Sequence, residues 1–443
     1  MRILVIWFLD ISEMLHASPL LRDLEAIAES GHDMVCIFPV AKKVTQTSRK
    51  NLRIEVIHIW ESVPIISHVY FCLLAFLRLI KRYKDTDTVV FGIDVIPFIL
   101  PFLWLYLFFV GKPRPVFTIR ETSPIVETRS TGRHYMHIYR YLSLRLSRYS
   151  DAVFAISPMR AKEIVTKYRI PEHQVHVWPS SVDTRLFDPS KYTQDRQKIR
   201  DKLQLDDKFI LIYHGDLSEE RGLDALVEAI SLVHQKRRDV AVLFLGKGRA
   251  EHGLRRLVKS FKLDSAVIFH PPVRYDEVPR LIAAADAGVI PLPDQPQWRY
   301  QVPLKLIEYL AMEKIVIVTD LPGHRWIIGR SRAAFYCGQG RPDQISEAIL
   351  RCLSNKDSNR RSIRQQVAER FSSHSVVARI LQILFNCKPI FRSVHSVAHS
   401  REENNQNIGS SRMYAPEDSC VACVGHKNNV HPKAAQQGEK LAQ

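Results

Sequence analysis

Short β-branched and aromatic runs, each followed by an amphipathic helical period, recur along most of this chain, and few folds tolerate that rhythm. Ile3–Leu9 reads as a strand and Pro19–Ser30 as a helix with Leu20, Leu21, Leu24 and Ile27 on one face. Gly31 fits the helix C-cap, and Met34–Phe38 and Ile54–Ile59 read as the next strands. Such alternation predicts a parallel, doubly wound sheet. Thr88–Gly92, Pro115–Ile119, Ala152–Ile156 and Val175–Trp178 extend it. After a charged stretch, about Ser190 to Asp207, the rhythm restarts with strands at Phe209–His214, Val240–Leu245, Ala266–His270, Gly288–Pro291 and Ile315–Val318.

With 443 residues the chain is too long for one ordinary core. The expected class is α/β: two Rossmann-like domains, 1–188 and 189–385, facing a cleft, and a disordered tail, 386–443, poor in large apolar residues. The net charge of +17 and pI near 9.6 imply an acidic partner: nucleotide phosphates, anionic lipid or nucleic acid. Seven cysteines spread over this length form no disulfide framework, which suggests a reducing compartment and a cytoplasmic location. The opening MRILVIWFLD stops at Asp10 and reads as a first strand, not a signal peptide.

Two apolar stretches resemble membrane spans in composition. Ile65–Ile80 ends in Lys81, Arg82 and Lys84, and Val89–Val110 is interrupted by Asp94, Pro97 and Pro101. The second splits into a strand, a turn and a helix from about Pro97 to Val110 that is apolar all round. That helix is either deeply buried or dipped into a membrane surface. Arg129, Arg133, Arg140, Arg145 and Arg148 follow in a segment free of acids and interleaved with tyrosines. Such a helix suits anionic headgroups, or is simply a solvated face; no nucleic-acid-binding module accompanies it.

Chemistry-bearing residues sit where strands end, because open α/β sheets bind ligands at the carboxyl ends of their strands. Arg120 and Glu121 follow one strand as candidate catalytic groups, although they can equally pair with each other. His214-Gly215-Asp216-Leu217 leaves another strand, and Arg221 before the next helix can reach a phosphate. Gly246, in Leu245-Gly246-Lys247-Gly248-Arg249, ends a third. Pro303 suits a first helical position, Lys305 lies in the first turn, and Glu308 can accept from a sugar hydroxyl while helix N–H groups hold a phosphate. Lys305 and Glu308 also fit a plain solvated helix face.

Taken together, HGDLSEERGLDALVEAI, VLFLGKGRAEHGLRRL, AVIFHPPVRYDEVPRLIAAADAGVIPL, PLKLIEYLAMEKIVIVTD and ISPMRAKEIVTKYRIPEHQVHVWPSSVDTRLFDP resemble the retaining nucleotide-sugar glycosyltransferases of GT-B fold, family 4 or group 1. The resemblance runs to about Phe385. It implies a nucleotide-sugar donor held by Gly215, Arg221, Gly246, Lys305 and Glu308, the last on the ribose, and a sugar or lipid-linked acceptor, with no metal and no cofactor. Anionic membrane is an expected partner surface and nucleic acid is not.

Departures from the family pattern accompany the match. Tyr300 stands eight positions before Glu308 where a second glutamate is usual, and Asp216 stands where many members have a phosphate-binding arginine. Arg221 takes the place of a lysine, FLDISEMLHASP lacks the Gly-rich loop, and Arg120-Glu121 stands where a histidine is frequent. A non-catalytic nucleotide-binding protein of the same fold is the alternative reading. Cys420, Cys423, His426 and His431 have metal-like spacing without a surrounding core, and chance is the favoured explanation.

Overall fold

The computed structural model describes residues 1–9, 11, 19–42, 48–60, 62–110, 116–120, 133–338, 340–354 and 360–387. Strands β1 (Arg2–Ile6), β2 (Asp33–Val40), β3 (Ser48–Arg49), β4 (Leu52–His58), β5 (Thr88–Gly92), β6 (Val116–Arg120), β7 (Ala152–Ala155) and β8 (Val175–Val177) form one sheet. Its order is β3-β4-β2-β1-β5-β6-β7-β8, parallel except for β3 against β4. Leu4 lies opposite both Val35 and Val89, and β1, with β2 on one side and β5 on the other, is a point where strand order reverses. Every residue of β5 and β6 is buried, because helices cover both faces of the sheet.

A second, wholly parallel sheet holds β9 (Phe209–His214), β10 (Val240–Leu245), β11 (Val267–His270), β12 (Ala287–Ile290), β13 (Ile315–Thr319) and β14 (Ala334–Cys337). Its order, β11-β10-β9-β12-β13-β14, reverses between β9 and β12, and a crevice for ligands opens at the carboxyl end of such a switch. Asp286 fixes that junction by accepting the Ile210 amide at 2.8 Å and pairing with Arg196 and Arg200. The architecture is the expected α/β pair of doubly wound sheets.

The chain crosses between the sheets twice, side by side. The Val182 amide donates to the Phe371 carbonyl at 2.9 Å, and the Ser373 amide returns a bond to Val182 at 2.9 Å. Beyond that crossing, the helix Ser373–Asn386 packs on the helix Pro19–Glu29: Val376, Val377, Ile380, Leu381 and Leu384 share a core with Leu20, Leu24 and Ile27. An expected second domain ending at 385 would count this helix with the second sheet. Its apolar stripe nevertheless completes the first, each buried aliphatic side chain contributing about 1.5–3 kcal/mol before entropy is counted.

Local outcomes differ from expectation by a residue or two at most ends. Arg120 is the last residue of β6, paired with Gly92 and Phe154, and not the first of a loop. Pro303 is the N-cap of the helix Leu304–Ala311, extended in backbone, one residue outside its expected place. The apolar stretches form helices Pro64–Arg82 and Ile96–Val110, the second with Pro101 inside it. Among the described residues no helix is long and apolar enough to cross a membrane. Five cysteines, Cys36, Cys72, Cys337, Cys352 and Cys387, are free thiols.

Candidate functional site

The loops that leave β9 and β10 are stacked backbone to backbone. The Gly215 amide donates to the Leu245 carbonyl at 2.9 Å, and the Leu217 amide to the Lys247 carbonyl at 3.0 Å. A Cβ on Gly246 would lie 2.0 Å from the Gly215 carbonyl oxygen, so no larger residue fits there. Gly215 itself has φ +110, a conformation that glycine adopts without strain. Immediately beside it is Lys305: a Cβ on Gly215 would meet the lysine Nζ at 3.3 Å.

Lys305 is half-buried in the first turn of its helix, with its ammonium 3.7 Å from the centroid of the Tyr213 ring. Burial, and then the charge of Arg221, hold its pKa well below the usual lysine range, while Glu308 and Asp216 act in the opposite direction. The Arg221 guanidinium lies 4.6 Å over the Trp298 ring, and its buried Nε has no hydrogen-bond partner among the described residues. Two cations thus face each other where an anion would relieve both.

One turn deeper, Glu308 is completely buried. Its Oε1 accepts from the Tyr275 hydroxyl at 2.5 Å, and its Oε2 faces His214 Nε2 at 3.0 Å without hydrogen-bond alignment. The His214 amide donates to the Tyr309 hydroxyl at 3.1 Å, and the Tyr309 ring stands edge-on to the imidazole, which fixes that side of the pocket. From the first half of the chain, Arg22 reaches across the cleft. It lies 4.2 Å over the Tyr275 ring and 3.9 Å from Glu308 Oε1. None of its three buried guanidinium nitrogens has a hydrogen-bond acceptor among the described residues. Burial lowers the pKa of Arg22, against the opposing pull of Glu308 and Asp23.

Gly215, Arg221, Gly246, Lys305 and Glu308 are therefore brought together at the carboxyl edge of the second sheet. Arg120 belongs to a different arrangement. It is buried at the end of β6, 4.3 Å over the Trp178 ring and 3.6 Å from Asp23 Oδ2. Burial lowers its pKa to about 10, partly opposed by Asp23. Asp23 also accepts from Trp178 Nε1 at 2.7 Å and from the Ser181 hydroxyl, and burial raises its carboxyl pKa despite those partners. Glu121 lies outside the described residues, as do Cys420, Cys423, His426 and His431. No group of metal-ligating side chains occurs among the described residues.

Reading by motif missed Arg22, Asp23, Tyr275 and the role of His214. Arg22 and Asp23 sit on a helix whose apolar spacing accounts only for its inner face, and no local pattern announces a partner far along the chain.

The family model described as glycosyl transferases group 1 matches residues 208–355, and that described as glycosyltransferase family 4 matches residues 23–186. In fold, the chain is similar to HepE of Anabaena, solved in complex with UDP, at TM-score 0.66 and 15% identity, over 87% of this chain and 100% of that one. It is also similar to the sucrose-phosphate synthase of Thermosynechococcus elongatus, at TM-score 0.67 and 15% identity, over 86% and 98%. A curated relative, the alpha-D-kanosaminyltransferase of Streptomyces kanamyceticus, is 22% identical over 223 residues, 50% of this chain and 55% of the relative. The chain spans about half the length of that relative.

Proposed function

We propose, from the premise that this chain belongs to the family 4, group 1 glycosyltransferases, that it transfers a sugar from a nucleotide diphosphate to an acceptor hydroxyl with retention at the anomeric carbon. The observation that carries this reading is the pair Arg221 and Lys305 facing each other beside the stacked glycine loops, with the buried carboxylate of Glu308 one turn further in. Close backbone approach at Gly215 and Gly246 admits a diphosphate, and the two cations meet its charge. Glu308 then takes the ribose hydroxyls, exchanging Tyr275 for them.

In the reaction the bond from the anomeric carbon to the diphosphate oxygen breaks, and a bond to the acceptor oxygen forms as that hydroxyl passes its proton to the departing diphosphate. The diphosphate leaves with increased negative charge, and preorganised cations that meet such charge lower the barrier. We assign that task to Arg221, Lys305 and the amides at the start of the helix Leu304–Ala311, with no metal ion required. Arg120 positions Asp23, and through it the helix that delivers Arg22. The acceptor hydroxyl is carried on a sugar or a lipid-linked precursor.

The hydrogen bond from Tyr275 to Glu308 Oε1, with His214 3.0 Å from Oε2, favours a second reading, a non-catalytic protein that binds nucleotide without turnover. Replacing Glu308 and Arg221 with alanine and measuring release of nucleoside diphosphate from a panel of nucleotide sugars separates the two. The transferase reading expects turnover in the native chain and its loss in both variants. Nucleotide binding without turnover supports the second reading, and unaltered rates in the variants remove the residue assignment.

A further inference from the structure

The helices Pro64–Arg82, Ile96–Val110 and Arg133–Leu146 pack in succession on one side of the first sheet, and not one carries an aspartate or a glutamate. Their inner residues, Phe71, Ala75, Leu79, Ile99, Leu103 and Leu144 among them, are buried in a common core. On the first two, exposed residues are apolar as well. Ile66 is 62% exposed and Leu73 56%, and Val69 and Leu77 continue the same stripe at helical spacing. Phe102, at 59%, and Leu105, at 56%, add to it from the next helix.

Ring contacts join the first helix to the second near the surface and the second to the third beneath it. Phe76 and Phe102 have ring centroids 6.2 Å apart, and Phe98 and Tyr139 5.8 Å. Scattered exposed apolar side chains are ordinary on a protein surface, whereas a contiguous patch over neighbouring helices marks an interaction surface. At its margins are Lys81, Lys84 and Arg148, all exposed, and the amphipathic rings of Trp60, Tyr70 and Tyr141. Among the described residues, Glu55 pairs with Arg78 and Arg82, and Asp85 and Asp87 pair with Arg2.

We propose that this face rests on an anionic lipid bilayer, the helix Pro64–Arg82 lying in the plane of the interface. Aliphatic side chains, ring-bearing amphipathic residues and basic residues at the margins match the acyl boundary and the negative headgroups above it in turn. A protein partner of this chemistry would have to be apolar and acidic at once over three helices; a bilayer supplies both layers. The orientation has a consequence. Trp60 lies just beyond β4, and its backbone N–H and C=O are both bonded to the Ser67 hydroxyl, at 2.9 and 2.7 Å. The apolar stripe therefore begins at the carboxyl edge of the first sheet, and docking brings that edge, where such sheets take their ligands, beside the membrane.

The test is flotation of the full chain with vesicles of phosphatidylcholine, with and without phosphatidylglycerol, independent of any measurement of sugar transfer. Binding is expected to the anionic vesicles and to weaken with salt. The double variant Ile66→Glu, Leu73→Glu should weaken it at least about tenfold while the thermal melt and nucleotide binding stay unchanged. Lys81→Ala with Lys84→Ala should weaken binding to anionic vesicles about fivefold per lysine and leave the weaker binding to phosphatidylcholine alone unaffected. Absence of flotation overturns the proposal, as does flotation that the glutamate variant leaves intact. Self-association in solution that the same variant abolishes, without vesicle binding, assigns the face to a second copy and overturns it too.

Discussion

The carboxyl ends of the two sheets differ in how far buried charge is balanced, although Arg120 Nη1, like the Arg22 nitrogens, has no hydrogen-bond partner among the described residues. At the end of β6, Arg120 meets Asp23, stacks on Trp178, and leaves Asp23 bonded also to Trp178 and Ser181. Beyond β9, Arg221 disfavours the charge of Lys305, and Arg22, 3.9 Å from Glu308 Oε1, has no hydrogen-bond acceptor for its guanidinium nitrogens among the described residues. A charge that is answered within the protein holds the protein together. A charge left unanswered in a buried place costs stability and is kept where a ligand answers it.

That contrast is sharpest in the paired variants. Arg120→Ala strands the Asp23 carboxylate in the core, so unfolding free energy by chemical denaturation should fall by about 3–5 kcal/mol. Lys305→Ala removes a cation that burial and Arg221 disfavour, and the same measurement should show stability unchanged or raised. A large loss of stability in Lys305→Ala would break the comparison. Arg221→Ala and Lys305→Ala should instead each reduce donor turnover by about 10²–10³-fold, the scale of losing one preorganised charge-stabilising group.

Protons sharpen it further. Burial lowers the His324 pKa from 6.5 to about 4, so the folded state keeps the ring neutral while the unfolded chain takes up a proton below pH 6.5. Stability should therefore fall as pH drops from 6.5 towards 4, by up to about 3 kcal/mol from this residue, and His324→Leu should flatten the slope. Lys305 has a lowered pKa too, but an anion arriving beside it raises that pKa. Nucleotide affinity should decline as pH rises through the depressed value, at a lower pH than an ordinary lysine would allow, which titration across alkaline pH measures. The smallest effect is expected of Tyr275→Phe, which removes one hydrogen bond to Glu308 and should shift nucleotide affinity by about 1 kcal/mol.

The strands were legible because parallel, doubly covered sheets demand uninterrupted β-branched runs: Phe209–His214 and Val240–Leu245 fall where the residues place them. The glycine loops and the Lys305–Glu308 spacing were legible because they are local. What the order of residues hid is what two sheets do to each other. Arg22 is almost three hundred positions from Glu308, and its helix shows only the period of its buried face. Arg120 was misplaced by one residue, which was enough to turn a loop candidate into a strand residue whose side chain is enclosed by Trp178 and Asp23. The helix Ser373–Asn386 has an evident apolar stripe, but only the backbone bonds at Val182 and Ser373 decide which sheet receives it.

The decisive experiment is calorimetric titration of uridine diphosphate and its fellow nucleoside diphosphates into the native chain, Lys305→Ala and Glu308→Gln. Saturable binding of at least one nucleotide to the native chain is expected, strongly weakened in Lys305→Ala and clearly weakened in Glu308→Gln. Equal affinities in all three, or no nucleotide bound by the native chain, would contradict it.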